Sequence, residues 1–136
     1  MSFECDEKCQ RRGSVAVDGC EISCSRCDLL CLIDGCMCQG GCDLIAVEGE
    51  RIHVIEAKSG RVSRSDAERA VRQLEECISK FKLDRVERRN LILIITYSKR
   101  LDGPARNYIL RENPLRKRGY SIIYIRCGSD LSSMKF

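Results

Sequence analysis

The run LILIITY at residues 91–97 is apolar at almost every position. A strand with one face in water alternates apolar and polar side chains, whereas a strand covered on both faces is apolar throughout. This run has the length of a strand and shows no alternation. We therefore predict a central strand with packed layers on both sides, which is the arrangement of an α/β domain.

The segments around this run supply the other elements of such a sheet. Residues 43–47 and 52–57 predict two strands joined by the tight turn EGER, and residues 120–127 predict a last strand. A helix is predicted from the capping box Ser65 and Glu68, and residues 103–113 predict a shorter helix. The helical apolar stripe comprises Ala67, Ala70, Val71, Leu74, Cys77, Ile78 and Phe81.

The resulting order is β-β-α-β-α-β, which predicts an α/β fold with a central mixed β-sheet flanked by helices. The length of 136 residues suits a single domain. Its predicted parts are a Cys-rich N-terminal segment at 1–42, the core at 43–127 and a tail at 128–136 that frays.

Three charged side chains interrupt the predicted hairpin. Glu56 and Lys58 are two residues apart on a strand and share a face, and the short turn brings Asp43 close to them. Two neighbouring carboxylates repel unless a proton or cation lies between them, and Mg²⁺ binds through one or two carboxylates. A lysine there can orient a water or offset charge on a phosphate, which indicates metal-assisted phosphodiester hydrolysis. The alternative is a surface hairpin whose Glu56 and Lys58 pair with each other or with the helix, as exposed ion pairs that contribute little.

The pattern GGCD…VIEAK resembles the PD-(D/E)xK nuclease superfamily, in which an acid at the start of one strand is followed by E-x-K on the next. Gly40 and Asp43 match the G-x-x-D form of RecB-like members. Gln73 matches the first residue of their helical Q-x-x-x-Y motif, and Cys77 stands where that motif has tyrosine. The length and the basic second half are similar to those of small archaeal Holliday-junction resolvases.

This resemblance implies a restriction-endonuclease-like fold and a DNA endo- or exonuclease that depends on Mg²⁺ or Mn²⁺. Asp43 and Glu56 would hold the metal, Lys58 would position water or stabilise the transition state, and Gln73 would support them from the helix. Many members add an acid from an N-terminal helix, for which Glu4, Glu7 and Glu21 are the candidates.

Nine of the eleven cysteines lie between Cys5 and Cys42. The chain starts without the apolar core of a secretion signal and contains no transmembrane run, so we expect an intracellular protein with no membrane contact. Metal binding is then the first interpretation. Zinc or a [4Fe–4S] cluster could be held by members of the set Cys20, Cys24, Cys27, Cys36 and Cys38.

Two other interpretations of the cysteines stay open. Disulfides are possible, because intracellular proteins of hyperthermophiles contain them. Alternatively, Cys20, Cys24, Cys27 and Cys31 could pack on one face of a helix. Cys42 precedes Asp43, so a ligand or crosslink at Cys42 would fix the start of the catalytic strand.

Charge divides the chain. Residues 1–50 carry ten acidic and four basic side chains, whereas residues 51–136 carry ten acidic and twenty basic ones. The basic half favours an anionic partner, for which DNA in branched, duplex or single-stranded form is the expectation, with a homodimer possible. A salt-bridged, heat-adapted surface is the alternative. The competing functions are a non-catalytic, Cys-stabilised nucleic-acid-binding protein on a nuclease-like scaffold and a module that binds an acidic protein.

Overall fold

A computed structural model describes residues 3–134 of the chain. The strands are β1 Gln10–Arg11, β2 Ser14–Val17, β3 Cys20–Ser23, β4 Leu29–Leu32, β5 Leu44–Glu48, β6 Arg51–Lys58, β7 Arg61–Val62, β8 Leu91–Tyr97, β9 Arg100–Leu101 and β10 Ser121–Arg126. The helices are α1 Arg64–Lys80, α2 Gly103–Asn107, which continues as a π-helical segment over Tyr108–Glu112, and α3 Pro114–Lys117.

A mixed six-stranded sheet forms the centre of the fold, in the order β1-β4-β5-β6-β8-β10. Strands β1, β4, β5 and β6 pair antiparallel, whereas β6, β8 and β10 pair parallel. Strands β2 and β3 form a separate hairpin, and β7 pairs with β9. The predicted α/β class with a central mixed sheet is confirmed.

Strand β8 is covered on both faces, as its apolar run predicts. Leu91, Leu93 and Ile95 pack in one cluster with α1, α2 and α3. Ile92 and Ile94 pack in a second cluster on the opposite face. The prediction of helices on both faces is wrong, because this second face is covered by the β2–β3 hairpin, whose Cys20 and Ile22 are buried against the sheet.

The Cys-rich segment is part of the sheet. Its apolar stretch Leu29–Leu32 forms β4, which pairs with β5 and places the Asp43 strand inside the sheet. The interpretation of Cys20, Cys24, Cys27 and Cys31 as one helical face is wrong, since they lie on β3, a turn and β4. Strands of two to four residues are too short to show a period in the sequence.

Helix α1 has the predicted buried stripe but begins at Arg64. Ser63 accepts a hydrogen bond from the Asp66 backbone N–H, and the Asp66 carboxylate accepts from Ser63 in return. The capping box therefore lies two residues before the predicted pair Ser65 and Glu68. Asp66 has a shorter side chain than the usual glutamate at this position, yet it reaches the same backbone donor.

The end of the chain is packed as far as it is described. Asp130 accepts hydrogen bonds from Ser25 and from the Ser132 backbone, and Leu131 is buried against the second face of the sheet. The predicted fraying is therefore wrong for residues 128–134, and residues 135–136 lie outside the described part. No helix within residues 3–134 is both long and apolar enough to cross a bilayer.

Candidate active site

Two carboxylates meet where β5 begins and β6 nears its end. The Asp43 backbone N–H donates to the Ile55 carbonyl at 3.0 Å, which extends the Leu44–Ile55 register by one residue and sets Asp43 beside Glu56. Asp43 Oδ2 also accepts from the Ala57 backbone N–H at 2.8 Å. Hydrogen bonds within the sheet therefore hold the Asp43 side chain next to Glu56.

Lys58 and Gln73 complete the cluster. Lys58 Nζ lies 3.3 Å from Glu56 Oε2 and 3.2 Å from Gln73 Oε1. Gln73 belongs to α1, which packs on the face of β6 that carries Glu56 and Lys58. The structure thus brings together all four residues predicted from the sequence, with Lys58 held between the sheet and the helix.

Burial controls the charge of this cluster. Glu56 is 2% exposed, and burial, with the neighbouring Asp43 charge, raises its pKa to about 8 in spite of Lys58. Burial also raises the pKa of Asp43, although the hydrogen bond from Ala57 opposes this. At neutral pH in the absence of a cation, Glu56 therefore holds a proton.

One oxygen of this cluster has no hydrogen-bond partner. Glu56 Oε1 is buried and accepts no hydrogen bond from residues 3–134. A buried polar oxygen without a partner costs free energy, which a proton or a cation can offset. Two buried carboxylates with an open oxygen are a donor set that suits a hard divalent cation such as Mg²⁺.

Asp18 is a functional candidate that the sequence analysis missed. It lies in the exposed turn between β2 and β3 with a φ of 49°, and its negative charge acts on Asp43 by raising the Asp43 pKa. The Asp18–Gly19 dipeptide is a strong hairpin signal that could have located this turn. The three candidates from the sequence have other positions: Glu4 is exposed ahead of β1, Glu7 is in a 3₁₀ turn and Glu21 is exposed on β3.

Two disulfides anchor the elements that carry the site. Cys42, which precedes Asp43, is bonded to Cys77, one helical turn after Gln73 on α1. Cys20, which opens β3 directly after the Asp18–Gly19 turn, is bonded to Cys127 beyond β10. The last residue of the Cys-rich segment, Cys42, is thus crosslinked to the helix. Its partner Cys77 stands at the position that the Q-x-x-x-Y motif gives to tyrosine.

The other cysteines predicted as metal ligands are dispersed. Cys36 is bonded to Cys9, Cys24 to Cys27, and Cys5 to Cys31, while Cys38 carries a free thiol. Together with the pairs above, these make five disulfides within residues 3–134. Of the five predicted ligands, the structure brings together Cys24 and Cys27, and Cys20 and Cys36 have partners elsewhere.

A row of side chains extends from Lys58 across the parallel strands. Lys58 is paired with Tyr97 on β8, and Tyr97 with Arg126 on β10, so the three share one face. The Arg126 guanidinium lies over the Tyr97 ring, 5.3 Å from the ring centroid. Arg126 is exposed, so the row ends in a solvent-accessible cation two strands away from Lys58.

Part of the basic half is engaged in ion pairs on the surface. Arg61 pairs with Asp102 at 2.8 Å, and Arg64 pairs with Glu112 at 3.1 Å. Exposed pairs of this kind add little to stability. In each pair the acidic partner also neutralises an arginine charge that could otherwise attract a polyanion. The basic composition of residues 51–136 therefore overstates the positive charge available to a ligand.

Comparisons of the chain with protein-family models, with curated proteins and with solved structures returned no significant match. The candidate site is therefore described from the structure alone. It consists of two buried carboxyl groups and an adjoining lysine on the mixed β-sheet of an α/β fold.

Proposed function

We propose that this protein is a divalent-metal-dependent nuclease that hydrolyses phosphodiester bonds in DNA, on a restriction-endonuclease-like scaffold. The observation that carries the proposal is the pairing of Asp43 with Glu56 across β5 and β6, with Lys58 Nζ 3.3 Å from the same Glu56 carboxylate. The open Glu56 Oε1 supports it, because this oxygen is oriented by the fold and lacks a partner among residues 3–134.

Asp43 and Glu56 would hold Mg²⁺ or Mn²⁺, since carboxylate oxygens are the ligands these ions prefer. When bound, such a cation polarises the phosphate and lowers the pKa of a bound water. Binding requires Glu56 to lose its proton, which the pKa of about 8 makes dependent on pH. Asp43 keeps its orientation through the Ala57 backbone N–H.

Lys58 donates hydrogen bonds to the attacking water or to the phosphoryl oxygen on which charge develops. Gln73 orients the Lys58 ammonium through the 3.2 Å contact from α1. Arg126, at the outer end of the row through Tyr97, would contact a neighbouring phosphate of the DNA backbone. The chain thus supplies separate groups for the metal, the water and the backbone.

The test is a cleavage assay on linear duplex, single-stranded and branched DNA with Mg²⁺, Mn²⁺ or EDTA. Lys58→Met keeps the aliphatic stem and removes the ammonium, so we expect a rate loss on the order of 100-fold or more with metal binding retained. Lys80→Met, at the exposed end of α1, is the matched control and should cleave like the unmodified protein.

Cleavage that persists in EDTA or in Lys58→Met would refute the assignment of this site. DNA binding without cleavage of any substrate would instead favour the non-catalytic nucleic-acid-binding alternative.

A further inference from the structure

A second cluster of ligand atoms lies on the opposite face of the sheet from Asp43 and Glu56. The Sγ atoms of Cys24 and Cys27 and a carboxylate oxygen of Glu48 all lie within 4.8 Å of one another. Cys24 follows β3, Cys27 precedes β4, and Glu48 ends β5. Three segments of the fold therefore converge on this point.

The backbone around the cluster is well fixed. The Cys27 N–H donates to the Cys24 carbonyl at 3.3 Å, which closes a turn, and the Asp28 N–H donates to the Val47 carbonyl at 2.7 Å, next to Glu48. Such a Cys-x₂-Cys turn presents two sulfurs to one side, as thiolate metal sites require.

Glu48 is held from its other side by His53. Glu48 Oε1 lies 3.3 Å from His53 Nε2, and His53 is fully buried on β6. A carboxylate has two oxygens, so one can contact the imidazole while the other binds a metal. Such outer partners orient metal-binding side chains and strengthen metal binding.

The Cys24–Cys27 disulfide contributes less to the stability of the fold than the other described disulfides, because it closes the shortest loop. It spans 3 residues, whereas the other four span 26, 27, 35 and 107 residues within the described chain. A short closed loop constrains the unfolded chain least. This bond is therefore the one whose opening removes the least support from the fold.

We propose that Cys24, Cys27 and Glu48 form a transition-metal site of the zinc class, which becomes available when the Cys24–Cys27 disulfide is reduced. A dithiol reductant transfers two electrons and two protons to the bond, giving two thiols here and a disulfide in the reductant. Metal binding then displaces the two thiol protons. Zn–S bonds of about 2.3 Å and Zn–O bonds of about 2.1 Å place tetrahedral ligand atoms roughly 3.5–3.8 Å apart. The two sulfurs can take up such a separation once the bond between them is opened, and a Glu48 oxygen already lies within 4.8 Å of both.

The fourth position of the tetrahedron is open to water. Sulfur ligands select zinc over magnesium, whereas Asp43 and Glu56 offer oxygen alone. The two sites therefore differ in the metal they take as well as in the face they occupy. The zinc-class site does not depend on the proposed nuclease activity.

The first experiment is a Co²⁺ titration of protein that has been treated with a dithiol and then freed of it under argon. We expect one equivalent to bind with the absorption of thiolate-to-cobalt charge transfer. The double variant Cys24→Ser with Cys27→Ser should lose this absorption, and Glu48→Gln should bind at least about tenfold more weakly. Cys38→Ser and Glu50→Gln, which change the free thiol and an exposed carboxylate, are the matched controls and should bind normally.

The second experiment maps the ligands by alkylation and mass spectrometry, which gives an answer even if reduction loosens the fold. Zn²⁺ should protect Cys24 and Cys27 from alkylation and leave Cys38 reactive, with weaker protection in Glu48→Gln. The proposal is overturned if the reduced protein binds no Co²⁺, if the double variant keeps the absorption, or if Glu48→Gln matches the unmodified protein in both experiments.

Discussion

Replacing Glu56 by glutamine should stabilise the metal-free protein at neutral pH. The side chain keeps its shape, but the ionisable group is removed from a site that is 2% exposed. The pKa of Glu56 is raised from its ordinary 4.5 to about 8, and one pKa unit corresponds to about 1.4 kcal/mol. Full ionisation of Glu56 therefore costs the folded state about 5 kcal/mol, of which about 3 kcal/mol is expressed at pH 7.

The direction in which stability changes with pH follows from the number of protons bound by the folded and the unfolded chain. Below pH 4.5 Glu56 is protonated in both the folded and the unfolded chain, so its titration contributes nothing. Between pH 4.5 and 8 the unfolded chain loses this proton while the folded protein keeps it, so the stability of the unmodified protein falls as pH rises. The advantage of Glu56→Gln should therefore be small at pH 4.5 and grow to about 3 kcal/mol at pH 7.

Urea denaturation in EDTA at pH 5, 6, 7 and 8 measures this difference. Glu50→Gln makes the same replacement at an exposed position of the β5–β6 turn and controls for the loss of a negative charge. Adding Mg²⁺ should stabilise the unmodified protein and leave Glu56→Gln nearly unchanged, because the metal loses a ligand. A variant that is less stable than the unmodified protein at pH 7, or whose advantage does not grow with pH, would refute the reasoning.

Three further predictions concern the elements around the site. The double variant Cys42→Ser with Cys77→Ser opens a bond that spans 35 residues, so urea denaturation should show a loss of roughly 3–4 kcal/mol, and an unchanged midpoint would contradict a structural role for the bond. Asp18→Asn removes a negative charge that acts on Asp43, so half-maximal cleavage should need several-fold more Mg²⁺; an unchanged Mg²⁺ requirement would exclude Asp18 from the site. Cleavage at limiting Mg²⁺ should rise between pH 6 and 8, because protons compete with the metal for Glu56, and a flat profile would contradict that competition.

The candidate cluster could be predicted because it depends on local geometry. Alternation along β6 puts Glu56 and Lys58 on one face, and a tight turn limits the register that brings Asp43 to them. The covering of β8 follows in the same way from its unbroken apolar run. These inferences need only the period of a strand and the length of a turn.

The arrangement of the Cys-rich segment could not be predicted, because it depends on contacts between distant residues. Disulfide connectivity does not follow from cysteine spacing, and Cys20 finds its partner 107 residues away. Asp18 was missed for the same reason: the effect of its charge on Asp43 depends on the packing of a hairpin on the sheet. Helices were expected on both faces, and nothing local in the short strands β2 and β3 indicates that they replace a helical layer.

The Cys20–Cys127 bond also has a consequence for the synthesis of the protein. The other four disulfides join cysteines within the first 77 residues, so each can form while the rest of the chain is still being made. The Cys20–Cys127 bond cannot form until residue 127 has left the ribosome, and it is the bond that ties the Asp18 hairpin to the last strand. A nascent chain that has not yet exposed residue 127 therefore lacks this link, and the hairpin is locked over the sheet only after that residue has emerged.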